Sequence, residues 1–153
     1  PKTKEGVMCQ RIRYLREIQQ ARQIIRSYLP LIYLLINIYI NEEMFKEAME
    51  EIKKGFQDFP GNPFLLCLTG RVSAFTGDKD NAQNILNELL EKAKEEYVSQ
   101  FALASLYADL GKIDEAYEYL DIGYQDRDLF YMFFTTIYRS DPRFNIFFNK
   151  IGL

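Results

Sequence analysis

Histidine and tryptophan are both absent from this chain of 153 residues. Without histidine, neither a Ser–His or Cys–His nucleophile nor a histidine-ligated metal site can be built from the sequence. A general base would have to be aspartate, glutamate, lysine or tyrosine, which are less common in that role than histidine. The composition therefore argues against an enzyme, and we expect no cofactor and no metal site.

Cysteine and long apolar runs are also scarce. Cys9 and Cys67 both lie in apolar or helical stretches and make no disulfide framework, so a reducing compartment is favoured and we expect a cytoplasmic protein. The longest apolar run, 29–40, has 12 residues and is interrupted by Pro30 and Asn37. A bilayer span needs roughly 20 apolar residues, so we expect no membrane span. No signal-peptide pattern is visible.

The net charge of −3 is unevenly distributed. Residues 1–28 hold seven Lys/Arg and two Glu, whereas the remainder holds twelve Lys/Arg and twenty Asp/Glu. An acidic body is not typical of a nucleic-acid binder, so we expect no direct nucleic-acid partner. The basic segment could contact phosphate or an anionic membrane surface, or it could be a solvated helix face. Its arginines are Arg11, Arg13, Arg16, Arg22 and Arg26.

A step of 34 residues recurs through the chain. It separates the members of five sets: Ala48, Ala82 and Ala116; Ile52, Leu86 and Leu120; Phe45, Lys79 and Ile113; Gly70 and Ala104; Gly77 and Gly111. A fixed period of this length indicates a repeat protein. The predicted repeats are 29–62, 63–96 and 97–130, within a single domain that also contains 6–28 and 131–153.

Each repeat is predicted to contain two helices. In the third repeat, apolar residues recur at helical spacing over 99–110 and again over 115–124. Gly111 supplies a stop between these helices, and Asp114 lies where a helix N-terminus favours an acid. Gly77-Asp78 makes the equivalent turn in the second repeat, and the proline-containing stretch 59–63 separates the first repeat from the second.

This two-helix period resembles the tetratricopeptide repeat (TPR). The resemblance is carried by Leu35, Tyr39, Ala48 and Pro60 in the first repeat, by Gly70, Gly77, Ala82 and Leu86 in the second, and by Leu103, Ala104, Tyr107, Gly111, Ala116, Leu120 and Gly123 in the third. It implies an all-α fold, a right-handed α-solenoid of antiparallel helix pairs. About three repeats would follow a partial repeat at 6–28 and precede capping helices in 131–153.

The resemblance also implies a non-catalytic scaffold that holds a peptide or partner protein in a concave groove. By family pattern, the groove residues are Tyr33, Asn37, Asn41, Phe64, Arg71, Phe75, Phe101, Ser105 and Asp109. Asn37 and Asn41 could pair with a peptide backbone, and Arg71 could hold a carboxylate through two hydrogen bonds. Alternatively, Phe75 and Phe101 pack between neighbouring repeats. A second hypothesis is a sensory domain that binds a small molecule in the groove and signals to an upstream effector domain.

A narrower resemblance links the C-terminal region to bacterial multidomain regulators of transcription and signalling, in which TPRs follow an effector domain. It is carried by Ser140–Phe144 and by Gly152-Leu153. It implies that this chain, which begins at Pro1 without a methionine, is the regulatory part of a larger bacterial protein.

Aromatic residues crowd the region 130–148. They could cap the end of the array, which a solenoid requires. They could also leave an aromatic surface for homodimerisation, with Phe130, Phe133, Phe134 and Tyr138 as the self-association residues.

Overall fold

The computed structural model describes residues 4–24, 28–127, 143 and 149. Seven helices are assigned within these residues, namely α1 (Lys4–Ile24), α2 (Leu29–Asn41), α3 (Phe45–Asp58), α4 (Pro63–Phe75), α5 (Lys79–Lys92), α6 (Gln100–Asp109) and α7 (Ile113–Gln125). The same residues contain no strand. The predicted all-α class is therefore confirmed.

The chain divides into two compact units, Pro1–Leu68 and Thr69–Leu153. In the first unit, α1 packs on α2 and α2 packs on α3. In the second unit, α5 packs on α6 and α6 packs on α7. Packing between helices that follow each other in the chain is the arrangement of a TPR-like α-solenoid, in which each helix pair contacts its neighbours.

Helices α6 and α7 form an antiparallel pair. A Cβ atom placed on Gly123, near the end of α7, would lie 3.0 Å from the ring of Phe101 at the start of α6. At the other end of the pair, the rings of Tyr107 and Tyr119 stack with centroids 4.9 Å apart. The small residue at position 123 therefore lets the two helices approach closely.

The turns between paired helices use the predicted glycines. Gly77 has a φ of +89° and Gly111 a φ of +81°, a left-handed conformation that glycine adopts without steric cost. The first repeat has no glycine at this turn, and Glu43 takes a φ of +59° instead. The chain therefore reverses direction in the same way in all three repeats, with glycine relieving the strain in two of them.

Hydrogen-bonding caps define where three helices start. Asn62 Oδ1 accepts from the backbone N–H of Phe64 at 3.0 Å before α4. Asp78 Oδ1 accepts from the N–H of Asn81 at 3.2 Å before α5, and Ser99 Oγ accepts from the N–H of Ala102 at 3.3 Å before α6. Each cap satisfies a backbone N–H group that has no partner within its own helix.

Burial follows the 34-residue period. The alanine set and the Ile/Leu set on the second helices are each at most 1% exposed: Ala48, Ala82, Ala116, Ile52, Leu86 and Leu120. The 34-residue period therefore separates equivalent core residues, because the same face of each second helix is buried in each repeat.

Gly70 lies where α4 packs closely on its neighbours in the second unit. A Cβ atom on Gly70 would lie 3.0 Å from Ile85 Cγ2 and 3.0 Å from Leu106 Cδ2. We expect Gly70→Val to lower the free energy of unfolding by about 1–3 kcal/mol, because the added methyl groups overpack this contact. Urea denaturation followed by circular dichroism measures the change.

Asn84→Val is the matched control. Because Asn84 is exposed on α5, this substitution reports only the helix propensity of valine. If Gly70→Val unfolds at the same urea concentration as Asn84→Val, then α4 does not pack closely on its neighbours at Gly70.

Candidate functional site

Eight of the nine predicted groove residues fall into three columns of the 34-residue period on the first helices of the repeats. The first column holds Tyr33 and Phe101, the second holds Asn37, Arg71 and Ser105, and the third holds Asn41, Phe75 and Asp109. All five residues of the first two columns are buried. In the third column, Asn41 and Phe75 are exposed.

The first unit contains Tyr33, Asn37, Asn41 and Phe64. The rings of Tyr33 and Phe64 meet edge to face, with centroids 5.9 Å apart. Asn37 Nδ2 donates to the carbonyl of Tyr33, one helical turn earlier, at 2.8 Å. The buried amide of Asn37 therefore bonds within its own helix, whereas the exposed Asn41 ends α2 where a partner can reach it.

In the second unit, Arg71 and Asp109 bind each other. Arg71 Nε donates to Asp109 Oδ2 at 2.6 Å, and the two side chains are only 4% and 0% exposed. Their separation of 38 residues is one repeat period plus one helical turn. The ion pair therefore links the first helices of the second and third repeats. Each residue was predicted singly to contact a partner, and their pairing was not predicted.

The carboxylate of Asp109 is only partly satisfied. Its Oδ1 atom is buried and has no hydrogen-bond partner among the described residues. Burial raises the pKa of the Asp109 carboxyl above its ordinary value, and the charge and hydrogen bond of Arg71 offset this only in part. The charged form of Asp109 is therefore costly to bury, and Arg71 reduces that cost.

This electrostatic environment predicts a pH dependence. A carboxyl whose pKa is higher in the folded protein than in the unfolded chain keeps its proton longer in the folded state. Its contribution to stability is therefore lost as pH rises from the unfolded pKa through the folded pKa. We expect the stability of Asp109→Asn relative to the wild type to increase as pH rises above about 4, the ordinary pKa of an aspartate carboxyl. Urea denaturation at several pH values measures this difference.

Asp126→Asn, at an exposed position of the same unit, is the control for the substitution itself. A relative stability of Asp109→Asn that decreases with pH would mean that Arg71 dominates and lowers the pKa of Asp109.

Phe101 and Phe75 occupy different environments. Phe101 is buried and forms a core cluster with Ala104 and Leu120 inside the third repeat. Ser105 Oγ donates to the carbonyl of Phe101 at 2.9 Å, so this hydroxyl also bonds within its own helix. Phe75 is 45% exposed at the end of α4. Of these three residues, Phe75 presents the surface that a partner can contact.

A tyrosine cluster on α6 and α7 was not predicted from the sequence. Burial, together with a hydrogen bond to Tyr119, raises the pKa of Tyr107 to about 12. Arg143 lies 4.5 Å above the ring of Tyr117, a cation–π contact, and donates to Asp114 Oδ1 at 2.6 Å. The contact between Arg143 and Asp114 spans 29 residues and follows no repeat period, so no pattern in the sequence indicates it.

The predicted basic segment is helix α1, and its described arginines have two roles. Arg13 and Arg16 are exposed. Arg22 is buried, with its Nε 3.5 Å from Glu51 Oε2, so it anchors α1 to the second helix of the first repeat. The side chains of Arg11 and Arg26 lie outside the described residues.

The predicted self-association residues Phe130, Phe133, Phe134 and Tyr138 also lie outside the described residues. Within the described part of the chain, no three His, Cys, Asp or Glu side chains are grouped so that they could hold a metal ion. No described helix combines the length and apolar character needed to cross a membrane.

Comparisons with known proteins add one finding. Comparison with curated proteins and with solved structures gave no significant match. Residues 97–121, which cover α6, the Gly111 turn and most of α7, match the family model described as tetratricopeptide repeat. This match and the antiparallel packing of the same two helices together support a TPR domain.

Proposed function

We propose that this chain is a non-catalytic scaffold that binds a peptide or partner protein along the first helices of its repeats. TPR repeats serve in general as protein–protein interaction scaffolds, and the match at residues 97–121 carries this proposal. The two exposed residues of the third column add support, because Asn41 and Phe75 lie at equivalent positions of α2 and α4. Phe75 in the second unit offers an apolar anchor, and Asn41 in the first unit offers a side-chain amide that can pair with a peptide backbone.

The buried columns have a different role in this proposal. Arg71 lies one turn before Phe75 on α4, and its guanidinium group already binds the carboxylate of Asp109. A carboxylate of the partner could bind Arg71 only by displacing Asp109, which would leave a buried charge unpaired. The ion pair therefore positions the helix that carries Phe75 and does not itself contact the partner.

Peptide selection tests the proposal. A random peptide library is screened on the immobilised protein, and the affinity of the recovered peptides is measured by fluorescence anisotropy. We expect Phe75→Ala to weaken binding about tenfold, the loss expected when an aromatic anchor worth more than 1 kcal/mol is removed. Asn41→Ala should produce a smaller loss in the same direction.

Tyr97→Ala is the control for this experiment, because Tyr97 is an exposed aromatic residue outside the predicted groove. The proposal fails if no peptide is recovered, or if Tyr97→Ala weakens binding and Phe75→Ala does not.

We also propose that the scaffold is the regulatory part of a larger bacterial protein located in the cytoplasm. The resemblance of Ser140–Phe144 and Gly152-Leu153 to the C-terminal TPR regions of such regulators supports this. An antibody raised against the chain should detect a native protein well above 18.1 kDa. Detection at 18.1 kDa alone would contradict it.

A further inference from the structure

Within the first unit, helix α1 extends beyond the helices on which it packs. Gln19 Nε2 donates to the hydroxyl of Tyr39 at 2.8 Å, and Tyr39 lies two residues before the end of α2. Three residues further along α1, Arg22 contacts Glu51, which lies six residues after the start of α3. Moving towards the N-terminus of α1 therefore leads past the turn that joins α2 to α3. Residues 4–16, which we call the α1 extension, project beyond both helices by roughly 20 Å at about 1.5 Å per residue.

The burial of side chains agrees with this register. Ile12, Arg13 and Tyr14 are consecutive and exposed, Arg16 is exposed, and Leu15 is half-buried. Consecutive residues differ by about 100° around a helix, so the exposed side chains cover most of the circumference. The packing of α1 on α2 therefore ends before the α1 extension.

The α1 extension has a broad apolar side and a basic side. Ile12 and Tyr14 are 54% and 56% exposed, and they lie about 160° apart around the helix with Leu15 between them. Arg13 and Arg16 lie on the opposite side, and neither forms an ion pair with a described residue. The basic character continues through residues 1–17, which contain five Lys/Arg and two Glu.

The width of the apolar side favours a lipid surface over a protein groove. A helix that packs on a neighbouring helix needs an apolar stripe about 100° wide, which would leave Ile12 or Tyr14 in water. A helix that lies in a membrane interface has its apolar face about 5–10 Å deep, so a layer of lipid contacts about half of its circumference. Tyrosine is favoured at this depth, and basic residues strengthen binding to anionic lipid.

We propose that the α1 extension binds the surface of a membrane that contains anionic lipid. Ile12, Leu15 and Tyr14 enter the headgroup layer. Arg16 is one turn from Ile12, so its long side chain reaches the lipid phosphates from the edge of the apolar side. Arg13 points away from the lipid and attracts the negative surface through solvent, within a screening length of about 8–10 Å. This contact is independent of peptide binding at the third column.

Tryptophan fluorescence tests the contact directly, because the chain has no tryptophan of its own. Tyr14→Trp places a reporter on the α1 extension, and Tyr28→Trp, at a similarly exposed tyrosine before α2, is the matched control. Vesicles of phosphatidylcholine and phosphatidylglycerol should shift the emission of Tyr14→Trp to shorter wavelength and leave that of Tyr28→Trp unchanged. The proposal is overturned if Tyr14→Trp shows no shift, if both reporters shift equally, or if vesicles of phosphatidylcholine alone produce the same shift.

Co-sedimentation with the same anionic vesicles measures the role of charge. We expect Arg13→Glu combined with Arg16→Glu to weaken binding at least tenfold, and salt at about 0.5 M to weaken binding of the wild type, because it screens exposed charges. Lys46→Glu combined with Lys53→Glu is the control, since both lysines are exposed on α3 and the net charge changes by the same amount. This control should bind like the wild type, and an equal loss of binding in the control overturns the proposal.

Poly-glutamate distinguishes a lipid surface from an acidic protein partner, because it carries negative charge without an apolar layer. The wild type should bind poly-glutamate more weakly than anionic vesicles at the same concentration of charge. Ile12→Ser combined with Tyr14→Ser should weaken vesicle binding at least tenfold, and circular dichroism checks that this variant remains helical. The proposal is wrong if poly-glutamate binds as tightly as the vesicles, or if the serine variant binds vesicles like the wild type.

Discussion

We expect Arg71→Met to lower the free energy of unfolding by about 3–5 kcal/mol, the cost of removing one partner of a buried ion pair. The carboxylate of Asp109 would remain fully buried, and its Oδ2 would lose the hydrogen bond from Arg71 Nε. Its other oxygen, Oδ1, already has no partner among the described residues. Urea denaturation at pH 7 measures the loss.

Two further observations separate this mechanism from a simple loss of packing. The deficit of Arg71→Met should shrink as pH is lowered, because Asp109 can then take up a proton and lose its buried charge. The double variant Arg71→Met with Asp109→Leu should recover most of the stability, since apolar residues of similar volume often replace a buried ion pair without loss.

Lys94→Met is the matched control, because Lys94 pairs with Glu91 on the exposed surface at 2.7 Å. Removing this exposed ion pair should cost only about 0–1 kcal/mol. A deficit for Arg71→Met as small as that of Lys94→Met would mean that the ion pair does not link the second and third repeats.

The second large effect is expected at Phe101. We expect Phe101→Ala to lower the free energy of unfolding by about 3–5 kcal/mol, as large-to-small changes of buried aromatic residues do. Its ring packs with Ala104 and Leu120, and it lies close to Gly123 across the helix pair. Chemical denaturation, combined with the peptide-binding measurement, distinguishes loss of the fold from loss of a contact surface.

Phe75→Ala is the comparison for Phe101→Ala, since both aromatic residues were predicted to face a partner. Phe75 is exposed, so its replacement should change stability by less than about 1 kcal/mol. If instead Phe101→Ala folds as stably as Phe75→Ala while losing peptide affinity, then Phe101 belongs to the binding surface.

The helix pairs and their turns could be predicted from the sequence because one period governs them. The predicted helix 99–110 corresponds to α6 (Gln100–Asp109), and the predicted helix 115–124 lies within α7 (Ile113–Gln125). The period also predicts the core, since Ala48, Ala82 and Ala116 are buried alike. A repeat forces its residues into equivalent environments, so a pattern in the sequence becomes a pattern of burial.

The environment of the groove residues could not be predicted in the same way. Asn37, Arg71 and Ser105 share one column of the 34-residue period. Their spacing does not indicate whether neighbouring helices cover that column. The pairing of Arg71 with Asp109 joins two different columns, so it breaks the period that made the rest predictable. The contact of Arg143 with α7 is likewise outside any repeat.

Amide hydrogen exchange of the chain, with and without a selected peptide, tests the central claim most directly. If the first helices of the repeats bind the partner, the peptide should slow exchange in α2, α4 and α6 and leave α3, α5 and α7 nearly unchanged. Slowed exchange concentrated in α3, α5 and α7 would contradict the claim and place the binding surface on the second helices.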